Sequence, residues 1–243
     1  MTETATMRPA RFGAQERMRT LQNDIMDIIL TSGLNVGDPM PTEGDLCAAL
    51  GVGRNTVREA LKVLQALGVV EIRHGFGTYV ASTSFESLSA SLAFRGRLSL
   101  QHGGREALEL VDVRQALETG LIGLAVDAMT PAYLSTLEER VTEMEQAAIA
   151  GRHFIDEDQD FHRLLYVPLQ NELLSSLLEV FWNVYRQIHE EAGIEAHSLT
   201  ENAHAHRLIL DALRAGDKTL AAERLNEHFR GIREHLAALG QQR

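Results

Sequence analysis

Two groups of residues in this chain have types and spacings that could do chemistry. The first begins with Asp158-Gln159-Asp160-Phe161-His162, which sets a carboxylate and an imidazole at i and i+4, on one face of one helix. Two further histidines, His206 and His228, lie 22 positions apart with Gly216 near the midpoint. A helix rises about 1.5 Å per residue, so ten residues down and twelve back bring the two rings to nearly the same level. If that pair packs against the Asp158 helix, one carboxylate and three imidazoles converge. Such a set suits Zn²⁺, Ni²⁺ or a similar divalent ion, with positions open to water or a ligand. The competing reading is a solvent-facing pair, since the chain holds ten histidines. His204 lies about 200° around the helix from His206, so only one of them faces inward. His235 shares a face with His228 and rivals it.

The second group is Gly53-Arg54-Asn55-Thr56-Val57-Arg58, with Lys62 one turn beyond Arg58. Arg can grip a phosphate or read guanine N7 and O6. Asn can read adenine, and Thr can touch a phosphate or a thymine methyl. Val57, Ala60, Leu61 and Leu64 recur at helical spacing, which buries the opposite face. A helix with base-edge readers at its start is what a helix-turn-helix inserts into the major groove. An ordinary surface helix with a few arginines is the alternative, and the flanking segments decide between them.

Those segments read as follows. Residues 1–13 are polar and aperiodic, a mobile tail. Leu21, Ile25, Ile28 and Ile29 mark a helix over residues 14–32, ended near Gly33. Thr42-Glu43-Gly44-Asp45 is a capping box that opens a short helix over 43–50. Gly51-Val52-Gly53 is a tight turn, and the reading helix follows to about Leu67, with Gly68 as its C-cap. Two short β-prone runs, 69–73 and 77–80, flank His74-Gly75-Phe76-Gly77 and read as a hairpin wing. Residues 81–104 are rich in Ser and Gly and read as a linker, with a short helix over 85–94. From Arg105 onward the pattern is helical, with helices expected over 131–150, 154–166, 171–191, 199–215 and 218–239. The expected fold is mainly α: a winged helix-turn-helix over 14–80, then an all-α antiparallel bundle over 105–243.

Bulk composition bounds the function class. The single cysteine, Cys47, excludes an intramolecular disulfide and suits a reducing cytoplasm. There is no apolar leader and no run of about eighteen apolar residues, so neither secretion nor a membrane span is expected. The net charge of −11 looks wrong for a DNA binder. However, residues 1–80 carry eight Arg/Lys and nine Asp/Glu, while the remainder carries 15 and 25. The acid load therefore lies away from the reading helix, and local placement governs phosphate contact.

Pro41-Thr42-Glu43, Gly51 through Leu61, Leu67-Gly68 and His74 through Val80 together resemble the GntR family of bacterial transcription regulators. The resemblance covers residues 16–80. It implies operator contacts by Arg54, Asn55, Thr56 and Arg58, and by the wing tip at His74 and Gly75. One departure is Gly44, where the family usually has a DNA-touching arginine. The helical remainder resembles the FadR subgroup with its ligand-binding FCD domain, in its metal-binding version. The resemblance implies Asp158, His162, His206 and His228 as ligands. It also implies a pocket-facing Arg114, able to hold a carboxylate in bidentate fashion beside the metal; a surface pair with Glu118 is the alternative. Asn202, one turn before His206, could reach the same cavity, while Phe181 and Trp182 are assigned to core or dimer contacts.

The expectation is a cytoplasmic, homodimeric regulator, a repressor as is commonest in that family, not an enzyme. It would bind a near-palindromic double-stranded operator and respond to a small organic acid. A metal-dependent hydrolase or lyase using the Asp/His₃ site is the rival from another class. A structural metal with an acyl effector is a third reading.

Overall fold

Leu21, Ile25 and Ile29 repeat every fourth residue and are all buried, so helix α1 (Ala10–Thr31) lays one stripe against its neighbours. The computed structural model describes residues 10–82, 85–192 and 199–241. Helix α2 (Glu43–Leu50) starts in the expected capping box: Asp45 N donates to Thr42 Oγ1 (3.2 Å), and Thr42 N donates to Asp45 Oδ2 (3.1 Å). It ends at Gly51, whose φ of 67° is a left-handed conformation that costs glycine little. Helix α3 (Arg54–Ala66) follows after two residues and buries Val57, Ala60, Leu61 and Leu64 against α1 and α2. Each fully buried leucine contributes about 1.5–3 kcal/mol, so this small core holds α3 rigidly while its other face stays exposed.

Strands β1 (Val70–Arg73) and β2 (Gly77–Val80) form an antiparallel hairpin, with register running from Val70↔Val80 to Arg73↔Gly77. The loop before α2 adds to its outer edge, where Met40 N donates to Thr78 O (2.8 Å). Helix, short helix, glycine turn, longer helix and wing are thus present in the expected order.

Two expectations need correction. Helix α1 begins at Ala10, so residues 10–13 are helical and not tail; the tail expected over 1–9 lies outside the described residues. The expected linker is mostly helix α4 (Glu86–Leu100), longer than the short helix expected over 85–94. Its serines and glycine mislead as loop formers. Ser89, Ala93, Gly96 and Leu100 form its buried stripe, where small side chains permit close packing. The end of α4 is tied to the next helix: Arg95 makes a bidentate pair with Glu106 (2.9 and 3.1 Å), and Glu106 N donates to Ser99 Oγ (2.8 Å).

The second compact unit runs from Leu88, the first ending at Ser87. Beyond α4 it consists of α5 (Arg105–Ala128), α6 (Pro131–Ile149), α7 (Ile155–Tyr166), α8 (Glu172–Ala192), α9 (Leu199–Ala215) and α10 (Lys218–Gln241). A single 3₁₀ turn, Val167–Leu169, separates α7 from α8. Thr130 caps α6 with Pro131 in its first turn, as expected. Helix α10 packs on α5 and α9, α6 on α7 and α9, and α5 also on α7 and α8. No strand follows β2 among the described residues, and none of their helices is long and apolar enough to cross a membrane.

Candidate metal centre and DNA-reading helix

Helix α7 has one strongly apolar face, and Asp158 and His162 share it with Phe161 and Leu165. All four are buried, so carboxylate and imidazole point into the bundle. His206 on α9 and His228 on α10 reach the same place. His206 Nε2 lies 3.1 Å from Asp158 Oδ1, His162 Nε2 lies 3.1 Å from His228 Nε2, and His162 Nε2 lies 3.4 Å from Asp158 Oδ1. The four ligand atoms fall within 4.8 Å of one another. His204 is exposed, so the rotation expected between it and His206 holds. The side chain of His235 lies outside the described residues.

The outer ring nitrogens of two histidines are engaged elsewhere. His162 Nδ1 lies 2.6 Å from Glu118 Oε2, and His206 Nδ1 lies 2.8 Å from the carbonyl oxygen of Asn202. Both partners are acceptors, so each Nδ1 carries the proton and each Nε2 turns its lone pair inward. Burial holds the His228 imidazole well below its ordinary pKa, and the neighbouring His206 and His162 add to this. Burial also lowers His162, against the opposing pull of Glu118. Burial pushes the Asp158 carboxyl up, but positive charge at the facing ring edges, His206 foremost and then His162 and His228, outweighs it, so a proton or a cation held at those Nε2 atoms keeps Asp158 ionised.

These residues fit a divalent cation. Two uncharged Nε2 atoms facing each other at 3.1 Å repel unless a proton or a cation lies between them. Atoms bound about 2.0–2.1 Å from one zinc would sit roughly 3 Å apart, as these closest pairs do. One carboxylate with three imidazoles is a donor set for Zn²⁺ or Ni²⁺ and a poor one for Ca²⁺ or Mg²⁺.

Arg114 lies on α5, and Glu118, one turn on, joins it to the cluster. Arg114 Nε donates to Glu118 Oε1 at 2.6 Å, while Glu118 Oε2 faces His162. The pairing weighed as a surface contact is therefore present but interior, with side chains 5% and 0% exposed. Burial raises the Glu118 carboxyl, and the charges of Arg114 and His162 bring it below its ordinary value. The Arg114 guanidinium lies over the Trp182 ring, 4.1 Å from its centroid, and Nη2 is buried with no hydrogen-bond partner among the described residues. A cavity beside it is lined by Val111, Arg114, Val184, Tyr185 and Phe229. Burial pushes the Tyr185 hydroxyl up to about 12.

Sequence reasoning did not place Glu118 or Trp182 in the site. A signal for Glu118 existed: Arg114 and Glu118 fall in register with Val111, Ile122 and Ala125, the buried stripe of α5. Trp182 fills core as expected, but its ring also floors Arg114 and lies 5.7 Å from the His162 ring. Asn202 touches the cluster through its backbone carbonyl, and its side chain is half-buried. Arg207 anchors α9 from outside, pairing with Glu145 (2.9 and 2.8 Å) and Glu138 (2.5 Å) on α6.

In the first unit, Arg54, Asn55, Thr56 and Arg58 are all exposed at the start of α3, and His74 and Gly75 are exposed at the wing tip. Arg58 Nε pairs with both carboxylate oxygens of Glu43 (2.9 and 2.8 Å). That pair is exposed and weak, so a phosphate can displace Glu43. At Gly44, an added Cβ would meet only Thr42 Oγ1, at 3.6 Å, so sterics do not explain the missing arginine.

Comparison with known proteins agrees with both units. Residues 18–80 match the family described as bacterial regulatory proteins, gntR family, and residues 109–231 match the FCD domain. The transcriptional repressor NanR of Citrobacter rodentium is 27% identical, with 96% of this chain and 94% of that protein covered. The transcriptional regulator LutR of Bacillus subtilis is also 27% identical, covering 86% and 96%. Among solved structures, a GntR protein of Streptococcus agalactiae superposes with a TM-score of 0.61 at 26% identity, covering 89% of this chain and 99% of that one. These relatives are transcription regulators, not enzymes. An exposed arginine helix with a wing, followed by a helical body matched to FCD over 109–231, places the chain in the GntR family of transcriptional regulators, with an FCD effector domain.

Proposed function

We propose that this regulator is a homodimeric, cytoplasmic repressor. Its C-terminal domain holds a divalent cation through Asp158, His162, His206 and His228 and takes a small organic acid against it. The observation that carries the proposal is the convergence of those four ligand atoms, each buried, with ring tautomers set by Glu118 and Asn202. The repressor sense rests on the likeness to NanR.

Charge narrows the acid. With neutral imidazoles, Arg114, Glu118 and Asp158 sum to one negative charge. A divalent cation turns that into one positive charge, which a single carboxylate neutralises. Unpaired buried charge is costly, so a hydroxy or sugar monoacid fits better than a di- or tricarboxylate. Arg114 supplies the unpartnered Nη2 as its donor, and Asn202 adds a second polar group. In the first unit, Arg54, Asn55, Thr56 and Arg58 read base edges and phosphates in the major groove, while His74 and Gly75 follow the wing into the adjacent groove. A two-fold dimer requires a near-palindromic operator, and the acid shifts the population of dimer geometries and so the half-site spacing.

The test is metal analysis of purified protein followed by gel shifts on promoter fragments of the neighbouring genes, with monoacids and polyacids added. One equivalent of zinc or nickel, with release by a monoacid, is the expected result. A metal-free protein whose DNA complex ignores every acid sinks the proposal. His206→Ala separates sensing from a structural metal: it should abolish release by the acid while DNA binding survives.

A further inference from the structure

The wing tip carries a residue that the reading above leaves without a task. Phe76 is 80% exposed, at the apex of the β1–β2 hairpin. Exposure alone says little, because single apolar side chains are common on surfaces, and Leu30 and Ile149 here are as open. Position and construction distinguish Phe76. Gly75 and Gly77 flank it with φ of 79° and 108°, so the chain turns tightly on either side and the phenyl projects from the apex. Phe76 N donates to Arg73 O (2.9 Å), and Tyr79 OH donates to Phe76 O (3.3 Å), which hold the backbone of the tip. The Arg73 guanidinium lies 4.2 Å from the Tyr79 ring centroid at the base of the same tip, its Nη2 donating to Glu71 Oε2 (2.8 Å) in an exposed pair that a phosphate can displace, with His74 exposed beside it. A rigid apolar apex collared by donors suits a surface that is anionic at its walls and apolar within. The minor groove of duplex DNA is such a surface, with phosphates at the rim and sugar and base faces inside.

We propose that Phe76 is a specificity-determining residue for the operator. Its phenyl enters the minor groove beside the half-site and partly opens a base step, while Arg73 and His74 hold the flanking phosphates. Apolar wedges favour easily unstacked pyrimidine–purine steps, so Phe76 selects sequence outside the bases that α3 reads. This inference rests on the family's DNA-binding activity and is independent of the metal centre.

The experiment is selection from a random duplex pool by the full-length wild-type protein and by F76A, F76K and R54A. Binding of the wild-type-selected duplex is then measured at several salt concentrations. We expect F76A to keep the central bases, lose the preference in the flanking steps, and bind that duplex about tenfold more weakly. Its salt slope should be unchanged, since no phosphate contact is lost. F76K should not restore the flanking preference. 2-Aminopurine placed in the flanking step should brighten with wild type and stay dark with F76A, reporting unstacking. R54A should instead lose the central bases, separating the two readers. An F76A pool and affinity identical to wild type would overturn the proposal, as would full restoration by F76K, which would make the contact electrostatic. A wild-type protein that enriches no sequence would overturn it together with DNA reading. The phenyl is 80% exposed, so F76A should unfold at the wild-type temperature, and a fold defect would not be confused with a lost contact.

Discussion

At the scale of single residues, Glu118 joins the buried Asp/His cluster to Arg114. One carboxylate oxygen orients His162 and the other holds Arg114, both at 2.6 Å. Carboxylate partners of ligand histidines are worth about 10–100-fold in metal affinity. At the proposed cation site, Glu118→Gln should therefore weaken zinc binding by roughly that factor, measured by competition with a chromogenic chelator. It should also free Arg114 and change the preferred acid. Unchanged zinc affinity in Glu118→Gln would show that the 2.6 Å contact does not set the ring. Gly44 offers a gain-of-contact test in the other unit. The site is exposed and open, so Gly44→Arg should fold normally and add one phosphate contact per half-site. The slope of log affinity against log salt should then steepen by about 1 per half-site.

At the scale of elements, α9 must hold a fixed rotation for His206, and not His204, to face inward. Two features set it. Ala203, Ile209, Leu210 and Leu213 give the helix its buried face. On its flank, Arg207 clasps Glu145 and Glu138 of α6, and Arg214 pairs with Glu138 as well. The clasp raises the Arg207 pKa, first through its hydrogen bond to Glu145. Arg207 is only partly buried, so its loss costs modestly; Arg207→Ala should lower stability by about 1–2 kcal/mol in urea unfolding. A looser α9 also carries His206 with less precision, and metal affinity should fall in parallel. Equal zinc affinity in wild type and Arg207→Ala would assign the clasp to stability alone.

At the scale of the whole molecule, two compact units with separate cores should melt separately. A cation bound only by the folded helical unit stabilises that unit by about 2.7 kcal/mol at a hundredfold excess over Kd. Chelation should therefore lower one of two calorimetric transitions and leave the other, belonging to the reading module, in place. Movement of both together would mean that the units unfold as one. Much of this architecture was legible in the amino-acid order, because its cues are local. Helical spacing of Val57, Ala60, Leu61 and Leu64, the Thr42–Asp45 capping box and the glycine turn at Gly51 specify a helix-turn-helix without reference to distant residues. Asp158 and His162 share a face through one helical turn alone. What only tertiary packing decided is how the helices rotate against one another. That rotation buried Arg114 and Glu118 where a surface pair was the alternative, brought Trp182 beneath the guanidinium, and made a packed helix of the Ser- and Gly-rich stretch after the wing. Periodicity names the residues on a face, but desolvation and the partner helix determine whether that face meets water or the core.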